Sequence, residues 1–236
     1  MTIRRWIAEQ WDDATATISG AQAEHMARVL RATPGMEADV VAGGHVFHAE
    51  VAAVAADEIR FNLIAEVRAD PALPVTLVVS VYKFDRMEWA IEKATELGVA
   101  AIAPVIARRT EKHLAQAAAK RVERWRRIVR EAAQQSRRTD VPVVDEPTAL
   151  KLALGMVSAE KKLLLAETEQ ENSLRAALES NAPSVALAIG PEGGWTAEEM
   201  GLFSEQGWHH VTLGPRILRA ETAAIAGLAI CSAMLG

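Results

Sequence analysis

The sequence predicts an α/β protein in which a small, mostly β unit precedes a longer unit built on a parallel sheet. Three observations carry that reading. Residues 1–70 hold short alternating runs broken by turn residues, which is the pattern of half-buried strands. From Val75 onward, apolar β-branched runs alternate with segments of helical spacing, the signature of repeated β–α units with helices on both faces of the sheet. Between the two, Ala69-Asp70-Pro71-Ala72-Leu73-Pro74 has two prolines and no periodicity and reads as a linker. The expected domains are therefore 1–70 and 75–236.

In the first unit, Thr15–Ile18 alternates weakly. Ala21–Arg31 has helical spacing, with Met26, Val29 and Leu30 on one face, until Thr33-Pro34-Gly35 stops it. Ala38–Val41 and Val46–Val51 flank Gly43-Gly44 as a hairpin. Glu58–Val67 adds a strand with Ile59, Phe61, Leu63 and Ala65 on one face. Several short strands and one helix suggest a small barrel. In the second unit, Val75–Val81 is a strand buried on both faces, and Asp85–Leu97 is a helix closed by Gly98 at its C′ position. Val99–Ile106, Val141–Val144, Lys162–Ala166, Val185–Ile189 and Val211–Leu213 follow as strands. Ala115–Gln135, Ser173–Leu178, a segment from Thr196 and a last one from about Ala220 follow as helices.

Composition narrows the function classes. The 236 residues are 50% hydrophobic and 24% charged, which argues against disorder. One cysteine, Cys231, excludes an internal disulfide and a cysteine zinc cluster and suits a reducing compartment. His25, His45 and His48 are not spaced as metal ligands, so no metal is expected. The N-terminus has no apolar h-region and no long apolar run interrupts the charges, so a cytoplasmic protein without a membrane partner is expected. The net charge of −5 discourages a nucleic-acid partner at first sight. Its distribution reverses that view. Residues 108–138 hold eleven basic residues against three acidic ones, leaving −13 for the rest of the chain. A solvated helix face is the ordinary account of such a run; an arginine stripe that binds phosphates is the other.

Ligands of open parallel sheets sit beyond the carboxyl ends of the strands. Two strand ends are unusual here. Ile189-Gly190-Pro191-Glu192-Gly193-Gly194-Trp195 bares backbone groups and leads into Thr196 and Glu199, a capping box. A tight βα turn explains such a loop in part, yet an ordinary turn rarely needs three glycines. It is neither a P-loop nor a clean dinucleotide fingerprint. Leu213-Gly214-Pro215-Arg216-Ile217-Leu218-Arg219-Ala220-Glu221-Thr222-Ala223 ends another strand and enters a helix of small residues, Ala220, Ala223, Ala224, Ala226, Gly227 and Ala229. Such a helix is either an alanine-rich core element or a surface built for close backbone approach.

These two stretches, with His25-Met26-Ala27-Arg28-Val29-Leu30-Arg31 and Arg86-Met87-Glu88-Trp89-Ala90-Ile91-Glu92-Lys93-Ala94-Thr95-Glu96-Leu97-Gly98-Val99, resemble the ribosomal RNA small-subunit methyltransferase E family. They span nearly the whole chain in the expected order. At Gln134-Gln135-Ser136-Arg137-Arg138 the chain departs from the family's Glu-Gln-Cys/Ser-Gly/Asn-Arg: Gln134 replaces the acid and Arg137 the small residue, while Arg138 matches.

The resemblance implies a PUA-like N-terminal barrel that binds RNA and a C-terminal SPOUT domain with a deep trefoil knot, the last helix passing through the knotted loop. It implies a homodimer through the knotted domain, S-adenosylmethionine as methyl donor, and N3 of a uridine in 16S rRNA of the small ribosomal subunit as target. Cofactor positions carried over are Leu165, Ala166, Ile189, Gly190, Pro191, Gly193, Leu213, Gly214, Ile217, Leu218 and Thr222. Methyl transfer from a sulfonium is an in-line displacement, and uridine N3 bears a proton, so a base and an anion-stabilising cation are needed. Glu192 or Glu221 is the candidate base, and Arg138 or Arg219 the cation. Candidate RNA contacts are Arg28, Arg31, Arg86, Arg108, Arg109, Lys112, Arg124, Arg127 and Arg216. The rival readings are a non-catalytic RNA-binding ribosome-assembly protein, another SPOUT enzyme acting on a ribose 2′-OH or a different base, and a nucleotide-dependent dehydrogenase.

Overall fold

A computed structural model describes residues 5–68, 71–180 and 182–236. Met1–Arg4 and the linker's Ala69 and Asp70 lie outside the described residues, as does Asn181. The chain forms two compact units, Met1–Ala72 with Ala133–Asp140, and Leu73–Ala132 with Val141–Gly236.

The first unit holds β1 (Arg5–Ile7), β2 (Gln10–Trp11), β3 (Thr15–Ser19), α1 (Gly20–Arg28), β4 (Glu37–Ala42), β5 (His45–Val54) and β6 (Glu58–Val67). Its strand order is β1-β4-β5-β6-β3-β2. The β4–β5 hairpin turns on Gly43 and Gly44 at φ 60° and 85°, the backbone that a two-residue turn of this hand demands. Register shifts at His48/Ala49 and Val51/Ala53 raise the local twist of β5. Only Ala8 and Glu9 separate β1 from β2. The Ala8 amide donates to the Val41 carbonyl (2.9 Å) and the Glu9 amide to the Thr17 carbonyl (3.0 Å). One extended segment thus serves both ends of the strand order, and the sheet is strongly curled. Trp6, Ile18, Met26, Val40, Val51, Ile59 and Phe61 fill its interior.

Two strands go unread in this unit and one expectation fails. β1 and β2 are too short to register as alternating runs. The α1 helix stops at Arg28, so Val29 and Leu30 are exposed rather than aligned with buried Met26. The chain leaves the helix there, with the Leu30 amide returning to the His25 carbonyl and Arg31 at φ 55°.

The second unit contains β7 (Leu73–Ser80), α2 (Phe84–Glu96), β8 (Val99–Ile106), α3 (Lys112–Ala117), α4 (Val122–Gln135, of which 133–135 count with the first unit), β9 (Val143–Val144), β10 (Thr148–Ala149), α5 (Leu150–Met156), β11 (Lys161–Leu165), α6 (Leu174–Leu178), β12 (Val185–Ile189), α7 (Ala197–Glu205), β13 (His209–Val211) and α8 (Ala220–Leu235). The sheet runs β10-β8-β7-β12-β11-β13, with β9 also on β8, and every pair is parallel. Both faces are covered, as the apolar strands required. Val75, Leu77 and Val79 of β7 face one core with α2 and α8, while Val78 faces another with α5 and α7.

The single helix expected over 115–135 is instead α3, a 3-10 turn at Ala118–Arg121, and α4. No glycine or proline marks that break; Leu114, Ala118, Val122 and Trp125 all turn into one core. The α5 helix was not anticipated. Gly98 closes α2 at φ 93°, as expected. Gly227 explains the small-residue face of α8: a Cβ there would lie 2.8 Å from Leu187 Cδ2 on the central sheet. The last strand sits two residues earlier than expected because Thr212 bonds elsewhere. Its amide donates to the Asn172 carbonyl and its carbonyl accepts from the Leu174 amide, both at 2.9 Å. On the other flank, Leu165 pairs with Val211 and the Ala166 amide donates to the Val211 carbonyl at 3.1 Å. Residues 211–212 are therefore hydrogen-bonded to both arms of the 166–173 loop.

Arg137 occupies φ 60° just past the end of α4, where the Arg138 amide returns to the Ala133 carbonyl and the Arg137 amide to the Gln134 carbonyl. This is the left-handed closure that glycine normally takes. Arg137→Gly is expected to raise the unfolding free energy by about 0.5–1 kcal/mol, the relief of strain less glycine's extra chain entropy; a urea titration measures it.

Candidate functional site

Three strand ends of the parallel sheet converge. The segments 165–170 after β11, 189–195 after β12 and 211–220 after β13 line a cavity of about 830 Å³, joined by Arg86, Arg109, Ala197, Met200 and Ala223. The glycine-rich loop is clamped at two points. Trp195 folds back so that a Cβ on Gly190 would lie 3.0 Å from its Nε1, and its ring packs edge-on against Phe203 at 4.9 Å. Arg109 donates to the Gly193 carbonyl, and a Cβ on Gly193 would lie 3.3 Å from its Cδ. Gly194 turns at φ 69° with its amide on the Pro191 carbonyl.

Past the loop, the expected capping box is formed. Thr196 Oγ1 accepts from the Glu199 amide (3.2 Å), and Glu199 Oε2 from the Thr196 amide (2.8 Å). Glu199 is buried, and its Oε1 accepts the Arg108 amide at 2.7 Å, tying the loop after β8 to α7. Gly214 at φ 113° lets the third loop turn, with its amide on Thr212 Oγ1. In the first loop, Glu169 accepts from the Asn172 and Glu171 amides, which hold its carboxyl below the usual carboxylate range.

Of the residues read as cofactor contacts, Leu165, Ala166, Ile189, Gly190, Pro191, Gly193, Leu213, Gly214, Ile217 and Leu218 line the cavity. Thr222 does not; it lies on the exposed face of α8. Sequence reasoning passed over Glu167–Gln170, Thr212, Trp195 and Met200. The polar run that follows β11 at a strand end was the signal available for the first of these.

The four candidates for chemistry separate. Glu192 and Arg219 line the cavity. Glu221 is 6% exposed and stands behind Arg86. Arg86 Nη1 donates to Glu192 Oε1 at 2.7 Å, and its Nε lies 3.8 Å from Glu221 Oε1. Arg138 belongs to the first unit, buried and bonded to Asp140 Oδ2 at 2.6 Å. Gln134 lies in that unit too and donates to Gln22 Oε1; Gln22 Nε2 donates in turn to Glu9 at 2.8 Å. An amide donor therefore occupies the place of the family's acid.

The basic residues divide as well. Arg86 and Arg109, read as RNA contacts, each hold a partner at the cavity. Arg124 pairs with Glu88 at 2.8 Å, and so does Arg121, which also lies over the Phe84 ring. Trp125, set among the stripe in sequence, is fully buried. Arg31, Arg108, Lys112, Arg127 and Arg216 present exposed side chains, as does Arg28, 3.9 Å from Glu24. The continuous cationic stripe is thus reduced, because carboxylates on neighbouring elements meet several of its members. Among the described residues no cluster of metal-ligating side chains occurs and no helix is long and apolar enough to cross a membrane.

A cavity walled by backbone at parallel strand ends, with one carboxylate held by an arginine at its edge, suits a small ligand presented to a larger substrate. Residues 69–232 match the RNA methyltransferase domain family, which sets the class. The chain is 38% identical to a ribosomal RNA small subunit methyltransferase E of Synechocystis over 96% of its own length and 76% of the relative's. It is 33% identical to the Bacillus subtilis protein of the same name, covering 92% and 90%. A crystal structure of a ribosomal RNA small subunit methyltransferase E from Neisseria gonorrhoeae bound to S-adenosyl methionine superposes with a TM-score of 0.84 at 32% identity, covering 97% and 96% of the two chains. The chain belongs to the ribosomal RNA small subunit methyltransferase E family.

Glu199 joins the glycine-rich loop, α7 and the loop after β8. Glu199→Ala is expected to destabilise the protein by about 1–3 kcal/mol through the lost cap and the orphaned Arg108 amide; thermal unfolding checks this, with Glu199→Gln retaining most of the stability.

Proposed function

We propose that the protein transfers a methyl group from S-adenosylmethionine to N3 of a uridine in 16S rRNA of the small ribosomal subunit. The observation that carries this reading is the cavity itself. The glycines at 190, 193 and 214 bring backbone within reach of a ligand, and ten of the eleven positions read as cofactor contacts meet there. Such a site fits a nucleoside with an amino-acid tail, because exposed amides and carbonyls can bind the adenine and ribose edges while apolar Leu165, Ile189 and Leu218 border them. When bound, the sulfonium supplies an electrophilic methyl group.

The chain's own residues do the rest. Glu192, at the cavity wall, accepts the N3 proton. Arg86 keeps that carboxylate aimed and ionised. Arg219, also at the wall, stabilises charge developing on O2 or O4. Glu221 is too buried to meet the base and acts through Arg86. Residues 1–70 would form the PUA-like RNA-binding domain and 75–236 the SPOUT domain. The strongly curled first sheet supports the former. The bonding of residues 211–212 to both arms of the 166–173 loop supports a threaded, knotted second domain. Homodimerisation through that domain, a cytoplasmic location and RNA contacts from Arg28, Arg31, Arg108, Lys112, Arg124, Arg127 and Arg216 complete the proposal.

Methyl transfer into small-subunit particles, followed by nucleoside analysis, tests it. The wild-type product is expected to be 3-methyluridine; a 2′-O-methyl nucleoside would refute the assignment. Glu192→Gln is expected to lower the rate about 10²–10⁴-fold, the usual worth of a general base, at nearly unchanged S-adenosylmethionine affinity. Arg219→Ala follows in the same direction. An unchanged rate in Glu192→Gln removes it as the base.

A further inference from the structure

The glycine-rich loop gives two of its carbonyls to a side chain from another strand end. Arg109 Nη1 donates to the Gly193 carbonyl and reaches the Trp195 carbonyl at 3.5 Å, so one nitrogen holds the chain on both sides of Gly194. The stem follows the same stretch: a Cβ on Gly193 would stand 3.3 Å from Arg109 Cδ and 3.6 Å from its Cβ. Arg109 is itself firmly mounted. With Arg108 it forms the centre of a turn in which the Thr110 amide donates to the Ala107 carbonyl at 3.1 Å. Thr110 Oγ1 accepts from the Ala107 amide and donates to the Val81 carbonyl just past β7, both at 3.1 Å. The preceding Arg108 amide rests on buried Glu199 at 2.7 Å.

We propose that Arg109 is a positioning residue for the methyl donor: its grip on the Gly193 and Trp195 carbonyls keeps residues 190–195 in their ligand-binding shape before the donor arrives. The inference rests on the cavity being the S-adenosylmethionine site. A segment with glycines at 190, 193 and 194 loses much chain entropy when it is ordered. The bond from the Gly194 amide to the Pro191 carbonyl, 2.8 Å, closes the turn that carries Glu192, and the chain pivots at Gly194 with φ 69°. Arg109 takes hold at that pivot. It thereby also fixes Trp195, whose ring covers Gly190 at the cavity wall. A planar guanidinium can serve two carbonyls at once while its stem lies along a glycine, which an ammonium does less well. Hydrogen bonds of an exposed side chain add little to global stability. Their loss shows in binding instead, because a ligand that must first order its loop binds more weakly by the fraction of molecules already ordered. A bound donor then holds the loop itself, so the loss falls on donor affinity more than on the chemical step, opposite to the loss expected of Glu192→Gln.

Arg109→Ala and Arg109→Lys in the full chain test this. Calorimetric titration is expected to give a Kd for S-adenosylmethionine about tenfold weaker in Arg109→Ala, with Arg109→Lys between it and wild type. In methyl transfer the KM for the donor rises alongside, and kcat at saturating donor falls far less. Without ligand, the Gly194 amide of Arg109→Ala is expected to exchange with deuterium several-fold faster than in wild type. An unchanged Kd overturns the proposal, as does a loss of kcat at wild-type Kd. So does weakened rRNA binding with a shallower salt dependence and wild-type donor Kd, which marks a phosphate contact. Should Arg109→Ala fold poorly, Arg109→Lys decides by the same readouts. A wild-type protein that binds no S-adenosylmethionine refutes the proposed function; Gly194 exchange then judges the grip alone, and an unchanged rate overturns it.

Discussion

Thr212 gives its amide to Asn172 and takes the Leu174 amide on its carbonyl, while Val211 beside it bonds Ala166. A strand end is thereby held by both arms of the loop that leaves β11 and returns as α6. The rest of the second unit depends on this. The 166–173 loop cannot swing away from β13 without breaking bonds on two sides, so its polar residues stay on one wall of the cavity. The same bonds fix where the chain leaves the sheet, and hence where Gly214 starts the turn that brings Leu218 and Arg219 to the cavity. From there α8 must travel back across the sheet, and Gly227 is the point at which it comes close enough to Leu187 to exclude a side chain.

Electrostatics within this frame is local. A chain of net charge −5 uses many of its arginines inwardly, against its own carboxylates and carbonyls. Arg86 spans two glutamates, Arg109 holds the glycine-rich loop, and Arg121 and Arg124 share Glu88. Arg126 joins Glu123, Glu146 and the Val144 carbonyl. What remains for a polyanionic partner is a sparser set of exposed guanidiniums than the sequence run of residues 108–138 suggests. Phosphate contacts by such a set would be salt-sensitive and modest one by one.

Much of this was legible beforehand. Strands buried on both faces, such as β12, announce themselves by continuous apolar runs, and β6, β8 and β12 occupy the predicted residues. Gly98, the Thr196–Glu199 cap and the glycine turns after β12 and β13 were readable because each needs a particular residue type at a particular place. The losses have common physical causes. Strands of two or three residues, like β2 and β10, carry no period. The 3-10 break before α4 comes from tertiary packing, and the early end of α1 from a local closure at Arg31, with no breaker in the chain at either place. The pairing of Arg86 was hidden, because the sequence does not show that Glu192 and Glu221, more than a hundred residues away, arrive beside it. Equally, Glu192 and Glu221 looked alike in sequence; burial separates the carboxylate at the wall from the one behind it. The return of Ala133–Asp140 to the first unit has no local signal at all.

In the proposed enzyme the three strand-end loops form one binding surface for S-adenosylmethionine. Hydrogen–deuterium exchange with and without that ligand tests it most directly, because backbone amides are what the surface presents. Simultaneous slowing of exchange in residues 165–172, 189–195 and 211–220, at one ligand concentration dependence, is the predicted result. Protection of a single loop, or none in the second unit at saturating ligand, contradicts it.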